Sequence, residues 1–280
     1  QRDIVQNATE WAEQRTTTLL EDERTARQAY IAGDVTAESY LATLGRLHDR
    51  AAAVETTVET IRSADAGDAT RAQHLQARLQ TLQGPVRAQL ADAVQGEGPS
   101  ARTYVTASGN GVTLSMLTGE EFVREAVRTD NLDAAVGQLG FDEAEARFGD
   151  HYPWASENKQ RISMGALGPD IYVVEFTHTH GTIDASLDAS TGEIFREVQT
   201  KSLGSTPTES NVWSATENVS VGVSQSYPGG PLRVTVSNET GAPIPDAAVA
   251  VNGTPVGSTD AEGAVWAISP AGEYSVTVTT

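Results

Sequence analysis

The chain has no cysteine, two methionines and only two lysines, Lys159 and Lys201, among its 280 residues. The lack of cysteine removes disulfides, thiolate nucleophiles and Cys-ligated metal centres together, and leaves the redox compartment unreadable. No run approaches the roughly 18 apolar residues that suggest a membrane-spanning helix. Basic residues total 19 against 38 acidic ones, a formal net charge of −19. No basic stripe exists to release counterions from nucleic-acid phosphate, and an anionic membrane surface is disfavoured for the same reason. The chain opens at Gln1, without an initiator Met or a signal-peptide pattern, and reads as a processed mature or trimmed chain. The sequence also carries no Gly-x-Ser-x-Gly, His-Glu-x-x-His, Walker or dinucleotide fingerprint and no twelve-residue calcium loop, so no enzyme class is indicated.

What is present is carboxylate. Acidic excess with arginine in place of lysine and many small apolar residues resembles the proteins of halophilic archaea. The physics agrees: near 1 M salt the Debye length is about 3 Å, which screens self-repulsion at a charge of this size. Four of the eight asparagines stand in N-x-S/T sequons, at Asn7, Asn218, Asn238 and Asn252. That density points to an extracellular or cell-surface chain.

Periodicity divides the chain into segments and predicts a multidomain α + β fold. Residues 1–96 read as an antiparallel bundle of three long helices, a coiled-coil-like rod rather than a pocket. In the second helix Tyr40, Leu44, Leu47, Ala51, Val54, Val58 and Ile61 alternate spacings of four and three. Ala72, Leu75, Leu79, Leu82, Val86 and Leu90 continue the seam in the third, with a kink expected at Pro85. Ile4, Ala8, Trp11, Leu19, Ala26 and Tyr30 make a looser face in the first. Similar Gly-Asp turns at 32–36 and 66–70 separate the helices.

Residues 100–202 read as an α+β domain. A hairpin around Ser108-Gly109-Asn110-Gly111 comes first. Thr118-x-x-Glu121 then reads as a capping box opening a short helix to about Arg128. Helical pieces follow at about 132–139 and 142–149, and strands at 161–166, 171–179, 182–187 and 193–200. The stretch Ile171-Tyr-Val-Val-Glu-Phe with Ile183-Asp-Ala-Ser-Leu-Asp-Ala-Ser-Thr-Gly-Glu-Ile194 resembles a PepSY domain over roughly 132–201. That resemblance implies a helix before an antiparallel meander and an association with the restraint of secreted peptidases.

Residues 203–215 are Ser/Thr-rich and read as a linker. Residues 216–280 show β runs with turn signals every 8–12 residues, the pattern of a sandwich. Val234-Thr-Val-Ser-Asn-Glu-Thr-Gly241-Ala-Pro243, Ser258-Thr-Asp260-Ala-Glu-Gly263 and Gly272-Glu-Tyr274-Ser-Val-Thr-Val278 resemble the carboxypeptidase-regulatory-like, immunoglobulin-type sandwich. That resemblance implies a spacer or adhesive unit without chemistry. The whole is similar to haloarchaeal exported proteins of unknown function that join such parts.

Chemistry is sparse. His178-Thr-His180 on a strand puts both imidazoles on one face, a spacing that can chelate zinc or copper with His151 or Asp150 completing the site. On the face of Tyr172, Val174 and Phe176 the two rings also read as half-buried packing. Glu120-Glu121 and Asp142-Glu143-x-Glu145 read as acids at helix N-termini, and His48 and His74 as polar-face residues. No cofactor is expected beyond weak divalent-cation binding by loose carboxylate clusters. Tyr274, Val276 and Val278 are candidates for assembly by strand addition. The expectation is a non-enzymatic structural or adhesive protein, self-associating into a layer or fibre or binding other surface proteins. The alternatives are a trans-acting peptidase inhibitor acting through the PepSY-like domain and a metal-binding surface module.

Overall fold

The structure is a computed structural model that describes residues 2–64, 69–98, 101–133, 139–167, 170–215 and 218–280. The expected turn at 66–68 and most of the expected helix at 132–139 lie outside the described residues. The fold is mixed α+β, with helices at the N-terminus and antiparallel sheet after them. Two compact units are present: Gln1–Leu114 with Val123–Thr200, and Ser115–Phe122 with Lys201–Thr280.

The first unit begins with α1 (Arg2–Ala32) and α2 (Ala37–Ala64), joined by a turn in which Gly33 takes φ 81° and Thr36 Oγ1 accepts the Ser39 N–H. All seven seam residues of α2 are buried, and Gly45 joins them because a Cβ there would stand 2.7 Å from the Leu90 backbone. The third helix is broken rather than kinked. α3 (Ala69–Gln80) stops, and α4 (Pro85–Val94) starts with proline at its first position, where the missing N–H costs nothing. The expected face of α1 is corrected: Ile4 is 73% and Trp11 49% exposed. Its buried stripe is Thr9, Ala12, Thr16, Leu19, Glu23 and Arg27, with Thr9 and Thr16 hydroxyls donating to the carbonyls of Val5 and Ala12.

The helices do not stand alone as a rod. They cover one face of a seven-stranded sheet with strand order β1-β2-β3-β7-β6-β5-β4. The strands are β1 (Arg102–Ser108), β2 (Gly111–Thr118), β3 (Glu121–Arg128), β4 (Arg161–Ala166), β5 (Ile171–His178), β6 (Gly181–Asp188) and β7 (Glu193–Ser202). The helix expected from Glu121 to Arg128 is strand β3. Gly119 (φ 54°) and Glu120 form the turn from β2, so Glu120-Glu121 mark a hairpin and not a helix N-terminus. The even-numbered residues Tyr172, Val174 and Phe176 of β5 pack with Ile183, Ala185 and Leu187 of β6 under α5 (Phe141–His151) and α6 (Pro153–Glu157). Ile171 and Phe195 instead meet Ala77 of α3. Coverage on both faces explains why β3 is buried on successive residues, a pattern that reads as helical.

In the second unit two sheets of order β13-β10-β9-β8 and β12-β11-β14 enclose one core of Leu232, Val234, Val236, Val249, Val251 and Val256. Its strands are β8 (Glu209–Ala215), β9 (Val219–Gln225), β10 (Pro231–Asn238), β11 (Ala248–Val251), β12 (Thr254–Ser258), β13 (Ala264–Ile268) and β14 (Val276–Thr279). The expected linker 203–215 therefore contains strand β8, paired with β9 with a register shift between Ser210 and Val212. Its Ser/Thr content conceals the β-formers Val212 and Trp213. The Asp260 carboxylate accepts the Glu262 and Ala264 N–H groups and sets the turn into β13.

Candidate functional site

His178 and His180 converge on an indole, and only His178 lies on the strand. His180 lies past the end of β5 and stacks on Trp154 of α6 at 5.5 Å, while His178 meets the same ring edge-on at 5.2 Å. The imidazoles are 6.0 Å apart, and the His178 Nδ1 accepts the His180 backbone N–H at 3.1 Å. That bond fixes His178 as the Nε2–H tautomer when neutral and occupies one of its two possible metal-binding nitrogens. Among the described residues no group of three or more His, Asp or Glu is placed to hold a metal ion. Trp154 itself is 48% exposed.

The strand-addition candidates point inward. Tyr274, Val276 and Val278 pack against the sandwich core, and the Tyr274 hydroxyl donates to Gln225 Oε1 at 3.0 Å. β14 is nonetheless the outer strand of its sheet, so its backbone edge rather than its side chains would take a neighbour. Of the sequons, Asn7, Asn218 and Asn252 are exposed. Asn7 lies mid-helix with its partner Thr9 buried, and Asn238 Oδ1 accepts from the Thr240 N–H, the Thr240 hydroxyl and the Ala242 N–H. Asn218 stands at a strand start, and Asn252 lies in the β11–β12 turn with its Oδ1 accepting the Ser275 N–H at 3.0 Å. His74 is more than a polar-face residue: its Nε2 lies 2.7 Å from Oδ2 of Asp170, the residue before β5.

The densest polar constellation lies elsewhere, inside the first unit. Arg87, 1% exposed, is paired with Glu125 of β3, whose other oxygen accepts the Val86 N–H at 3.2 Å. Burial pushes the Arg87 guanidinium down to about 10. The pair dictates Gly84, since a Cβ there would fall inside the Glu125 carboxylate. Beside it Arg27, 3% exposed, reaches Glu23 at 3.6 Å and the Thr129 hydroxyl at 3.5 Å, and Glu23 accepts from the Tyr40 hydroxyl at 3.1 Å. Burial and the Glu23 charge push the Tyr40 phenol far up, so it stays a neutral donor. A cavity of about 280 Å³ opens among α1, the α3–α4 break and strands β2 and β3, lined by Arg24, Arg27, Arg78 and Arg87. Sequence reasoning expected no pocket here. The signal was the polar stripe of α1, which a search for apolar seams passes over.

These features define a mixed α+β chain with the helices and most of the seven-stranded sheet in one unit and a seven-stranded sandwich in the other. Residues 208–280 match the archaeal fibronectin-III type-like domain, which fits the sandwich. Residues 103–207 match a family of unknown function (DUF7094), and residues 1–99 a domain of unknown function (DUF7096). No curated protein and no solved structure matches the chain. No described helix is long and apolar enough to cross a membrane.

Proposed function

We propose that the protein is a non-enzymatic extracellular structural protein of a halophilic archaeon, with its sandwich acting as a spacer or adhesive unit. The observation that carries this reading is the C-terminal archaeal fibronectin-III-like sandwich with two exposed sequons, Asn218 and Asn252. The charge of −19 supports it, because strongly hydrated carboxylates keep a surface soluble where salt would drive apolar surfaces together. The open edge of β14 supports self-association through added strands. The test is the protein purified from its native source. Glycopeptide mass spectrometry should find glycan on Asn218 or Asn252, with the chain in the envelope or medium fraction; an unmodified chain inside the cell overturns the reading. Sedimentation at molar KCl should show multimers, and a strict monomer removes the self-association.

A second reading has its own support. The order α5–α6 followed by the antiparallel meander β4 to β7 is that of the PepSY-like resemblance. Under it the first unit restrains a secreted peptidase. Inhibition of native secreted peptidase activity by the purified chain tests it, and unaltered proteolysis removes it.

A further inference from the structure

We infer that the arginine-lined cavity of the first unit is a binding site for a small aliphatic monocarboxylate. The first observation is unspent donors. Among the described residues the Nε atoms of both Arg27 and Arg87 are buried without a hydrogen-bond partner, and both side chains line the cavity. A buried charged group with an idle donor is costly, and a carboxylate meets a guanidinium edge with two parallel bonds.

The second observation is charge balance. The four lining arginines face Glu21, Glu23 and Asp133 on the cavity wall and Glu125 behind Arg87. Of these, Arg24, Glu21 and Asp133 are exposed, and the buried charges are two of each sign, Arg27 and Arg87 against Glu23 and Glu125, so the site tolerates one added negative charge better than two. That favours a carboxylate over a phosphate dianion. The third is shape. The volume of about 280 Å³ sits at the lower bound, roughly 300 Å³, of small-molecule sites, and Leu20, Leu82, Val127 and their neighbours supply an aliphatic wall. The net charge of −19 does not forbid an anion. In molar salt the distant carboxylates are screened beyond about 3 Å, while the buried arginines are screened far less.

The probes are hexanoate, hexanol and inorganic phosphate, added to the full chain at fixed molar KCl and followed by calorimetry and thermal melting. Hexanoate should bind and raise the melting temperature, hexanol and phosphate should not, and Arg27→Gln should weaken hexanoate about tenfold or more. Arg27→Gln removes a buried charge and risks the fold. The wild-type Arg Nε–H resonances therefore give a second readout, and those of Arg27 and Arg87 should shift on adding hexanoate. Absence of hexanoate binding overturns the inference. So does equal binding of hexanol, which would mark a bare apolar hole, or equal binding of phosphate. Nε–H signals that stay still while hexanoate binds place the ligand elsewhere and overturn it as well.

Discussion

The Glu125 carboxylate joins the Arg87 guanidinium in a buried ion pair that ties strand β3 to helix α4. The same carboxylate accepts the Val86 N–H, so it also offsets the positive end of the helix that carries its partner. A pair of this kind repays its desolvation only while both halves are present. Its members come from the segments matching two different families of unknown function, 1–99 and 103–207.

Removing one half should therefore cost more than removing both. Glu125→Met or Arg87→Met alone is expected to destabilise the first unit by about 3–5 kcal/mol, and Arg87→Met with Glu125→Met to recover most of it. Denaturant melts of the four proteins at molar KCl check this. Additive losses would show that the pair is uncoupled.

Gly45→Ala tests the close approach of α2 to α4. Alanine is the better helix former by about 1 kcal/mol, yet its Cβ would stand 2.7 to 2.8 Å from the backbone of Leu90 and Ala91. The expected outcome is a net loss of about 1–3 kcal/mol as the helices part. A melting temperature at or above wild type would contradict the packing described.

His48 makes stability depend on pH. Burial holds its pKa below the ordinary 6.5, aided by Arg87 and opposed chiefly by Asp49. Below 6.5 the unfolded chain binds a proton that the folded chain resists, so stability falls as pH drops from 6.5 toward the lowered value. Melts across that window should show a smaller acid loss in His48→Gln than in wild type. Equal losses would assign the pH dependence to other groups.

Salt should act in the opposite sense to its effect on an ordinary surface ion pair. Diluting KCl from about 1 M to about 0.1 M lengthens the Debye length from about 3 to about 10 Å and restores repulsion among the carboxylates. The melting temperature should fall steadily over that range. A chain that melts identically in both would show that its acidity is not an adaptation to brine.

Legibility in the sequence followed the chemistry of each seam. The stripe of α2 is apolar at every step, and each of its residues from Tyr40 to Ile61 is buried as the spacing demands. The stripe of α1 uses Thr9, Thr16, Glu23 and Arg27, so the eye goes to Ile4 and Trp11, which face solvent. Strand β3 was hidden by its surroundings. Burial of Phe122 with Val123, and of Ala126 with Val127, reflects cover on both sheet faces and imitates helical spacing. Reading β3 as a helix concealed Glu125, and with it the partner of Arg87. The cavity was invisible for a further reason: Arg27, Arg87 and Thr129 are distant in sequence and become neighbours only when helices and sheet close together.

Gly84 and Glu125 carry a consequence for how such chains can be recombined. A protein that kept the helical segment under a different covering sheet would leave the Arg87 guanidinium buried without its carboxylate, and the reciprocal exchange would leave Glu125 without its cation. Shuffling of the two segments is thus expected to be all-or-nothing. A natural chain bearing one without the other should also have lost the charge at its seam, together with the reason for a glycine before the proline.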